Sequence, residues 1–406
     1  MSFQTGLSGL NAASRNLDVI GNNIANANTV GAKVSRAEFS EIVAASTIAA
    51  TGKTEGIGVE VSTVSQLFSQ GSVNVTGNQL DLAINGNGFF PITQTDGTPA
   101  YTRAGEFKLD RLGNIVTNAG ANLMGYPTSV TGVPTSSNLQ PLQLPTSIPI
   151  GANMTTAIEA EFNVDARAVV WDSVLPNIPL TTYGTSLTVY DSQGSAIELP
   201  MYMRKTANDT WEVFTDPTDG TTASASVAAT LNFGVNGTLL STVPALPTIS
   251  VTSPNPTIGI FTTTLDISGT TQFATRFAVS KLVQDGYPPG DFVSMKIDDK
   301  GTVMATYSNG QSQAAGQVAL ADFRNVQGLR PSANGAWVET LGSGQPVLGS
   351  PSVGKFGALR AGALEASNID LTAELVNMMT AQRTYQANAQ TIKTQDQVLS
   401  TLTNLR

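Results

Sequence analysis

Apolar residues near both ends of the chain recur at alternating spacings of four and three residues. All 20 prolines lie between Pro91 and Pro351, so proline interrupts neither end. This alternating spacing is typical of a helix that packs against another helix along one face. The two rows are Phe3, Leu7, Leu10, Ser14, Leu17, Gly21 and Ile24 at the start, and Leu371, Leu375, Met378, Gln382, Tyr385, Ala389, Ile392, Asp396 and Leu399 at the end.

The pattern predicts one long helix at each end of the chain. The first should run from Ser2, an N-cap residue, to about Asn28, over roughly 40 Å. Three glycines inside it, at positions 6, 9 and 21, each cost about 1 kcal/mol relative to alanine, so this helix should depend on packing. The second, residues 363–406 without Gly or Pro, should span roughly 60 Å and begin at 364–368.

The two rows fit an intramolecular coiled coil, or core helices of an ordinary domain, as well as they fit faces completed by other subunits. Two such helices at opposite ends of a β-rich chain nevertheless favour termini that meet and an assembly protein over an enzyme. We assign Ile20 and Leu402 to the same assembly helices as the two rows.

The middle of the chain predicts β structure. A turn pattern with Asp followed three residues later by Gly suits a type I turn closed by a left-handed glycine, which forms a β-hairpin. It occurs at Asp110 and Gly113, at Asp191 and Gly194, and at Asp298 and Gly301. The strand-like runs are 187–190, 211–214, 277–283, 292–297 and 303–307.

The expected fold class is α+β, mainly β, with discontinuous β domains between paired terminal helices that resemble a coiled coil. Residues from about 127 to 288 are rich in Thr, Ser, Pro and Gly, which favours an inserted, outward-facing β domain. The expected domains are a helical domain (1–30 with 366–406), a connecting segment (31–70 with 352–365), a β domain (71–146 with 284–351) and an inserted outer β domain (147–283).

Composition argues against several classes of function. The chain has neither cysteine nor histidine, which removes disulfides, Cys/His zinc sites and catalysis by these side chains. Its net charge is −9 and its 21 Lys and Arg residues are unclustered, so nucleic acid and anionic membranes are poor partners. We expect no enzyme activity, no cofactor, no metal and no membrane insertion. The first residues lack the pattern of a cleaved signal peptide.

Three groups of motifs resemble the rod and hook axial proteins of the bacterial flagellum. They are residues 8–13 (SGLNAA) and 17–29 (LDVIGNNIANANT), residues 81–90 (DLAINGNGFF) and 101–105 (YTRAG), and residues 362–370 (GALEASNID) and 381–388 (AQRTYQAN). A match at both ends, in the same order, is highly specific. The residues that we carry over from this resemblance are Asn22, Asn23, Asn26, Asp81, Gly86, Gly88, Phe89, Gln382 and Arg383.

Within that group, the length of the chain favours the hook proteins over the shorter distal rod proteins. Residues 189–194 with Trp211, 305–311 and 325–329 resemble hook proteins in particular, whereas 127–276 matches only in outline. The resemblance implies a tubular homopolymer that transmits torque from rod to filament as a flexible universal joint. It implies export through the flagellar type III apparatus, an extracellular location, and contacts with the hook cap, distal rod and hook–filament junction proteins. A distal rod subunit and, from another class, a secreted Thr-rich adhesin are the alternatives.

We predict that both ends are disordered in the free monomer. Ser14, Gly21, Gln382 and Asp396 interrupt the apolar rows, so each helix buries too little surface until neighbouring subunits cover it. Limited proteolysis of the monomer should remove both ends while the middle of the chain survives. Termini that resist protease in the monomer would contradict this expectation.

Overall fold

The computed structural model describes residues 2–43, 56–146, 149–171, 182–215 and 227–404. Helix α1 (Ser2–Ala25) and helix α2 (Leu371–Asn404) lie at the two ends, and the described residues between them are mainly β. This confirms the predicted fold class. The chain divides into two compact units. The terminal unit comprises Met1–Ser147, Ser294–Thr306 and Ser312–Arg406, and the inserted unit comprises Ile148–Val293 and Tyr307–Gln311.

The described strands number 29 in chain order, and two short 3-10 turns, Val326–Gly328 and Ala333–Gly335, lie among them. The strands are β1 (Ser35–Val43), β2 (Gly56–Gln66), β3 (Val73–Val75), β4 (Leu82–Asn85), β5 (Phe90–Thr93), β6 (Pro99–Thr102), β7 (Phe107–Leu109), β8 (Ile115–Thr117), β9 (Asn122–Tyr126), β10 (Gln140–Pro141), β11 (Ala157–Asp165), β12 (Gly184–Tyr190), β13 (Ala196–Ala207), β14 (Thr210–Phe214), β15 (Val227–Phe233), β16 (Leu239–Val243), β17 (Thr248–Thr252), β18 (Ile260–Asp266), β19 (Thr271–Phe273), β20 (Ala278–Gln284), β21 (Phe292–Ile297), β22 (Thr302–Tyr307), β23 (Ser312–Val318), β24 (Leu320–Asp322), β25 (Arg330–Pro331), β26 (Ala336–Val338), β27 (Val347–Gly349), β28 (Ala358–Ala361) and β29 (Ala363–Glu365).

The predicted strand runs all lie in strands of the structure, namely β12, β14, β20, β21 and β22, apart from Phe277, which precedes β20 by one residue. The largest sheet of the terminal unit runs in the order β21-β22-β23-β9-β5-β6-β26-β25, with β7, β8 and β10 attached beside it. One apolar core of this unit is an aromatic cluster of Phe89, Tyr101, Phe323 and Trp337, whose rings meet edge to face.

The predicted bounds of the terminal helices were wrong in two places. Helix α1 ends at Ala25, and residues up to Gly31 continue in turns in which the Asn26 N–H donates to Asn22 O. The segment Ala363–Glu365, predicted as helix, is strand β29, paired antiparallel with β3. Helix α2 begins only at Leu371, because the Asp370 carboxylate caps it by accepting from the backbone N–H groups of the following residues.

The sequence pattern does not predict the hairpin of β1 and β2, which occupies most of the expected connecting segment. Its strands pair antiparallel from Ser35 with Gln66 to Val43 with Gly56, and both contact α1. The β1 sequence SRAEFSEIV is polar and lacks a clean alternation of apolar residues, so periodicity alone does not indicate a strand.

The inserted unit contains two five-stranded sheets. One runs β17-β18-β11-β19, with β20 paired to β11, and the other runs β12-β13-β14-β15-β16. A single apolar cluster draws Phe162 and Ile249 from the first sheet and Met201 and Trp211 from the second, so the sheets pack face to face. Trp211 is fully buried, its indole N–H donates to Gln272 Oε1 at 3.2 Å, and Tyr183 meets its ring edge to face.

We predict that Trp211→Ala lowers the free energy of unfolding by about 3–5 kcal/mol, because it leaves a large cavity between the two sheets. Trp211→Phe is the matched control, since it keeps an aromatic ring there and should cost less. Urea denaturation of the full chain followed by far-UV circular dichroism measures both. An alanine variant as stable as the phenylalanine variant would show that the aromatic ring at this position does not stabilise the core.

Candidate assembly surface

Helices α1 and α2 approach closely through small residues. A Cβ atom on Gly6 would lie 3.2 Å from Ile392 Cγ1, and one on Gly9 would lie 2.9 Å from Asn388 Nδ2. Ala12 and Ala13 on α1 are buried. Two of the three glycines that weaken α1 as an isolated helix, Gly6 and Gly9, therefore form the surface that receives α2.

The predicted apolar rows are only partly buried in the single chain. The buried residues are Gly6, Ala12, Ala13, Ile20 and Asn23 on α1, and Glu374 and Ala381 on α2. From the rows, Leu10, Ser14, Leu17, Gly21, Ile24, Met378, Ala389 and Ile392 are half-buried, whereas Phe3, Leu7, Leu371, Leu375, Gln382, Tyr385, Asp396 and Leu399 are exposed. Leu402 lies among residues whose side chains fall outside the described part, and Arg383 is exposed.

Helix α2 presents apolar side chains that the chain itself does not cover. Leu375 is 51% exposed and Leu399 is 50% exposed. Few residues of α2 are charged. Exposed apolar side chains in such number mark interaction sites in soluble proteins. We call the following set the assembly surface: Phe3, Leu7, Leu371, Leu375, Val376, Met379, Tyr385, Val398 and Leu399 on the helices, with Phe39, Ile42, Val64 and Leu67 on or beside the β1–β2 hairpin.

A groove of 620 Å³ lies between the two helices and the β1–β2 hairpin. Its walls include Ala13 and Ile20 from α1, Phe39 from β1, and Ala381 from α2. The groove is largely apolar and open on one side, so a side chain from another molecule could enter it without unfolding the pair.

A buried charge cluster joins the segments that follow α1 and precede α2. Glu365 is fully buried, and its two carboxylate oxygens accept from Lys33 Nζ at 2.6 Å and from Arg103 Nη1 at 3.0 Å. Lys33 Nζ also donates to Ser69 O at 2.8 Å, and Arg103 Nη2 donates to Gly86 O at 2.9 Å. The Glu365 carboxylate further accepts from the N–H of Gly71.

Burial lowers the pKa of the Lys33 ammonium below its ordinary value, and the hydrogen bond to Glu365 opposes this effect. Burial likewise lowers the pKa of the Arg103 guanidinium, whose face lies 5.4 Å from the centre of the Phe89 ring. Two cations and one carboxylate with no solvent access form a stable arrangement only while every partner is present.

Two asparagine side chains connect the same segments. The Asn23 amide donates to Ser35 O at 2.8 Å and to Glu374 Oε2 at 3.2 Å, and its oxygen accepts from the N–H of Ser35. Asn368 accepts from the N–H of Val34 and donates to Leu67 O, both at 2.8 Å. Each amide therefore joins an end of a terminal helix to the β1–β2 hairpin.

The remaining motif residues have local structural roles. Asn22 and Asn26 bond to each other at the end of α1. The Asp81 carboxylate accepts from the Thr76 hydroxyl and the Asn78 amide. Gly86 has a φ of 119° and lies against Gly357, while Gly88 has a φ of 128° and precedes Phe89 of the aromatic cluster.

The three Asp and Gly turns share one geometry. In each, the N–H of the glycine donates to the carbonyl of the aspartate, and the glycine has a φ between 78° and 83°. The turns join β7 to β8 (Asp110, Gly113), β12 to β13 (Asp191, Gly194) and β21 to β22 (Asp298, Gly301).

Two of these carboxyl groups have a lowered pKa. The hydrogen bond from Asn114 lowers the pKa of Asp110. Burial by itself would raise the pKa of Asp191, but bonds from the Ser253 hydroxyl and from the N–H groups of Ser195 and Gln193 outweigh it and lower the pKa. The turn at Asp191 therefore also holds the segment after β17.

Three side chains hold the junction, namely Lys33, Glu365 and Asn368, and they are not among the predicted site residues, although 362–370 is one of the family motifs. Lys33 and Glu365 each stand among small and apolar residues in a chain with only 13% charged residues. This contrast is the sequence signal that indicates buried charges. Among the residues that the structure describes, no group of three or more His, Cys, Asp or Glu side chains could hold a metal ion. No helix in the described ranges has the length and apolarity needed to cross a membrane.

We predict that Glu365→Gln lowers the free energy of unfolding by about 3–5 kcal/mol, because it leaves two buried cations without a counterion. Glu38→Gln is the matched control, since it removes the carboxylate of an exposed pair with Arg36 and should lower the free energy of unfolding far less. Urea denaturation of both variants at neutral pH measures the difference. Equal losses in the two variants would show that the cluster is not essential to the fold.

Comparison with known proteins identifies the family. Matches to family descriptions cover residues 3–33 (flagella basal body rod protein), 83–167 (flagellar hook protein FlgE/F/G D1 domain), 175–287 (flagellar basal body protein FlaE D2 domain) and 360–405 (flagellar basal body rod FlgEFG protein C-terminal).

Whole proteins match as well. The chain is 41% identical to the flagellar hook protein FlgE of Escherichia coli (strain K12), with 100% of both chains covered, and 32% identical to that of Treponema pallidum (strain Nichols), with 100% of this chain and 99% of the relative covered. The crystal structure of Helicobacter pylori flagellar hook protein FlgE2 matches 72% of this chain and 100% of its own with a TM-score of 0.53 at 16% identity, which supports the fold. The motifs, the paired terminal helices and the full-length similarity together establish that this chain belongs to the flagellar hook protein family.

Proposed function

We propose that this chain is the structural subunit of the bacterial flagellar hook, and that it polymerises into a flexible tube that transmits torque from the rod to the filament. The observation that carries the proposal is the 41% identity, over the whole of both chains, to a flagellar hook protein. The exposed apolar side chains of the assembly surface supply a physical reason for polymerisation.

The driving force of assembly would be burial of the assembly surface between neighbouring subunits. Each square ångström of apolar area removed from water contributes about 25 cal/mol. The terminal helices leave Leu375, Met379 and Leu399 exposed in a single chain, and the adjoining groove can take side chains from a neighbour. A contact between two different patches of identical chains builds an open helical polymer when its rotation does not close a ring.

The proposed domain roles follow the expected boundaries. Residues 1–30 with 366–406 would form the inner helical layer, 31–70 with 352–365 its connection, 71–146 with 284–351 a β layer, and 147–283 the outer β domain. The closely packed helices would resist twisting, whereas weakly charged β surfaces would move past one another at low cost when the tube bends.

The proposed partners are other copies of the chain, the hook cap protein, the distal rod and hook–filament junction proteins, and the flagellar type III export apparatus. The absence of cysteine is compatible with a chain that passes unfolded through a narrow channel before it assembles outside the cell. No catalytic role is proposed, because the family is a structural one.

A distal rod subunit is the second candidate, favoured by the matches of residues 3–33 and 360–405 to descriptions of basal body rod proteins. The full-length relatives named as hook proteins and the match at 175–287 favour the hook. No observation on the structure favours a Thr-rich adhesin.

The proposal predicts the result of deleting the gene in its host and complementing it with variants. Cells without the gene should be non-motile, and electron microscopy of their basal bodies should show complete rods without hooks. The wild-type gene should restore hooks, whereas the double variant Leu375→Gln, Met379→Gln should restore few or none, because it makes the apolar face of α2 polar while keeping its helix propensity.

Thr394→Gln is the matched control, since Thr394 is exposed on the same helix and its hydroxyl donates only to Gln390 O one turn earlier, and this variant should restore hooks. Incomplete rods in the deletion strain would place the chain in the rod instead. Normal hooks and swimming would contradict a flagellar role, and normal hooks with the double variant would contradict the assembly surface.

A further inference from the structure

Methionine is the only sulfur-bearing residue type of this chain. The sequence has nine methionines and no cysteine. Oxidation of a methionine thioether to the sulfoxide turns a flexible apolar side chain into a polar one, and it disrupts cores and interfaces that use that side chain. The methionines that solvent reaches are therefore the places where oxidation of sulfur can change what the chain does.

The structure separates one methionine from the others. Met1 lies outside the described residues, and of the other eight only Met379 is exposed, at 53%. Met201, Met203 and Met295 are buried in the folded units. The half-buried ones are Met124, Met154, Met304 and Met378. Because oxidation follows solvent access, Met379 should react first.

Met379 also lies within the assembly surface. One turn before it on α2, Leu375 is 51% exposed and Val376 is 52% exposed. Residues three and four positions apart are neighbours on a helix, so the three side chains form one apolar patch. The most accessible sulfur among the described residues is thus part of a patch whose burial would drive assembly.

We propose that Met379 is an oxidation site that decides whether a free chain can join the polymer. Hydrogen peroxide outside the cell supplies the oxygen. A lone pair on the thioether sulfur attacks one peroxide oxygen, the S–O bond forms and the O–O bond breaks. The sulfur is oxidised and the peroxide is reduced to water. The sulfoxide then places a polar oxygen in the apolar patch, and assembly has to bury it at a cost in free energy.

The same contact protects the site once a chain has assembled. A neighbouring copy that covers Leu375, Val376 and Met379 also excludes the peroxide, so the reaction is confined to free chains. Oxidised chains are then left out of the polymer while the finished polymer persists. Methionine sulfoxide reductases reverse the change, so an excluded chain can be restored.

This inference rests on the proposed function, because the polymer supplies the cover over Met379. The two can nevertheless fail separately. If deletion of the gene leaves hooks intact, the proposed function is wrong. If hooks form but peroxide affects free chains with and without Met379 alike, only this inference is wrong.

Two single variants test the site in the complete chain. Met379→Leu removes the exposed sulfur and keeps an apolar side chain that suits a helix, and Met378→Leu makes the same change at the adjacent, half-buried position as the matched control. Purified chains are treated with hydrogen peroxide, freed of it, and assembled in concentrated phosphate, which strengthens apolar burial. Sedimentation gives the lowest concentration of chain at which polymer forms, and each variant is compared with its own untreated sample.

We expect peroxide to raise this concentration about tenfold for the wild-type chain and for Met378→Leu, since a buried sulfoxide oxygen costs about as much as a lost hydrogen bond. The concentration for Met379→Leu should change little. Methionine sulfoxide reductase should return the oxidised wild-type chain to its original value. Equal sensitivity of Met379→Leu and the wild-type chain would overturn the inference, as would a wild-type chain that peroxide does not affect.

A second measurement does not depend on assembly in solution. Isolated hooks and free chains are treated with peroxide, and the sulfoxide at each methionine is measured by mass spectrometry of peptides. We expect Met379 to react about tenfold more slowly in hooks, since a covered thioether is protected, while half-buried Met304 reacts alike in both. Equal rates at Met379 in hooks and free chains would contradict the inference. An equal fall at both methionines would also contradict it, because it would indicate general crowding.

Discussion

The carboxylate of Glu365 is the constraint on which the architecture of the terminal unit depends. It lies just before α2, and it binds Lys33, which follows α1, and Arg103, which follows β6. A buried carboxylate needs counterions, and buried cations need a carboxylate. If one of these chain segments moved away, it would leave a buried charge without its partner, at a large cost in free energy. The amides of Asn23 and Asn368 extend the same constraint to the β1–β2 hairpin.

Because this junction holds the two helices together, their apolar side chains need not all be buried within the chain. Because polar contacts and small residues hold α1 against α2, the larger apolar side chains are left free to meet other molecules. Gly6 and Gly9 let the helices approach, and Leu375 and Leu399 remain outside the contact. A pair that buried all of its leucines internally would be more stable alone and would have less to gain from assembly.

The inserted unit follows a different principle. Its stability comes from an apolar core between two sheets, in which Trp211 is fully buried. A folded core that does not depend on neighbours can carry surfaces that associate weakly. Under the proposed function, the two units would divide the requirements of a polymer that must hold together and still deform.

The sequence by itself determined the features that rest on local periodicity and turn chemistry. The four-and-three spacing located both helices, the Asp and Gly pairs marked three hairpins, and motifs at both ends indicated the family. The tertiary structure decided what depends on residues distant in the chain. It made Ala363–Glu365 a strand because β3 offers hydrogen bonds there, and it paired the polar strands β1 and β2 against α1. It also selected the glycine face of α1 for the internal contact and joined Lys33 to Glu365, 332 positions away. No local pattern encodes these choices, because their energies arise only when separate segments share one buried site.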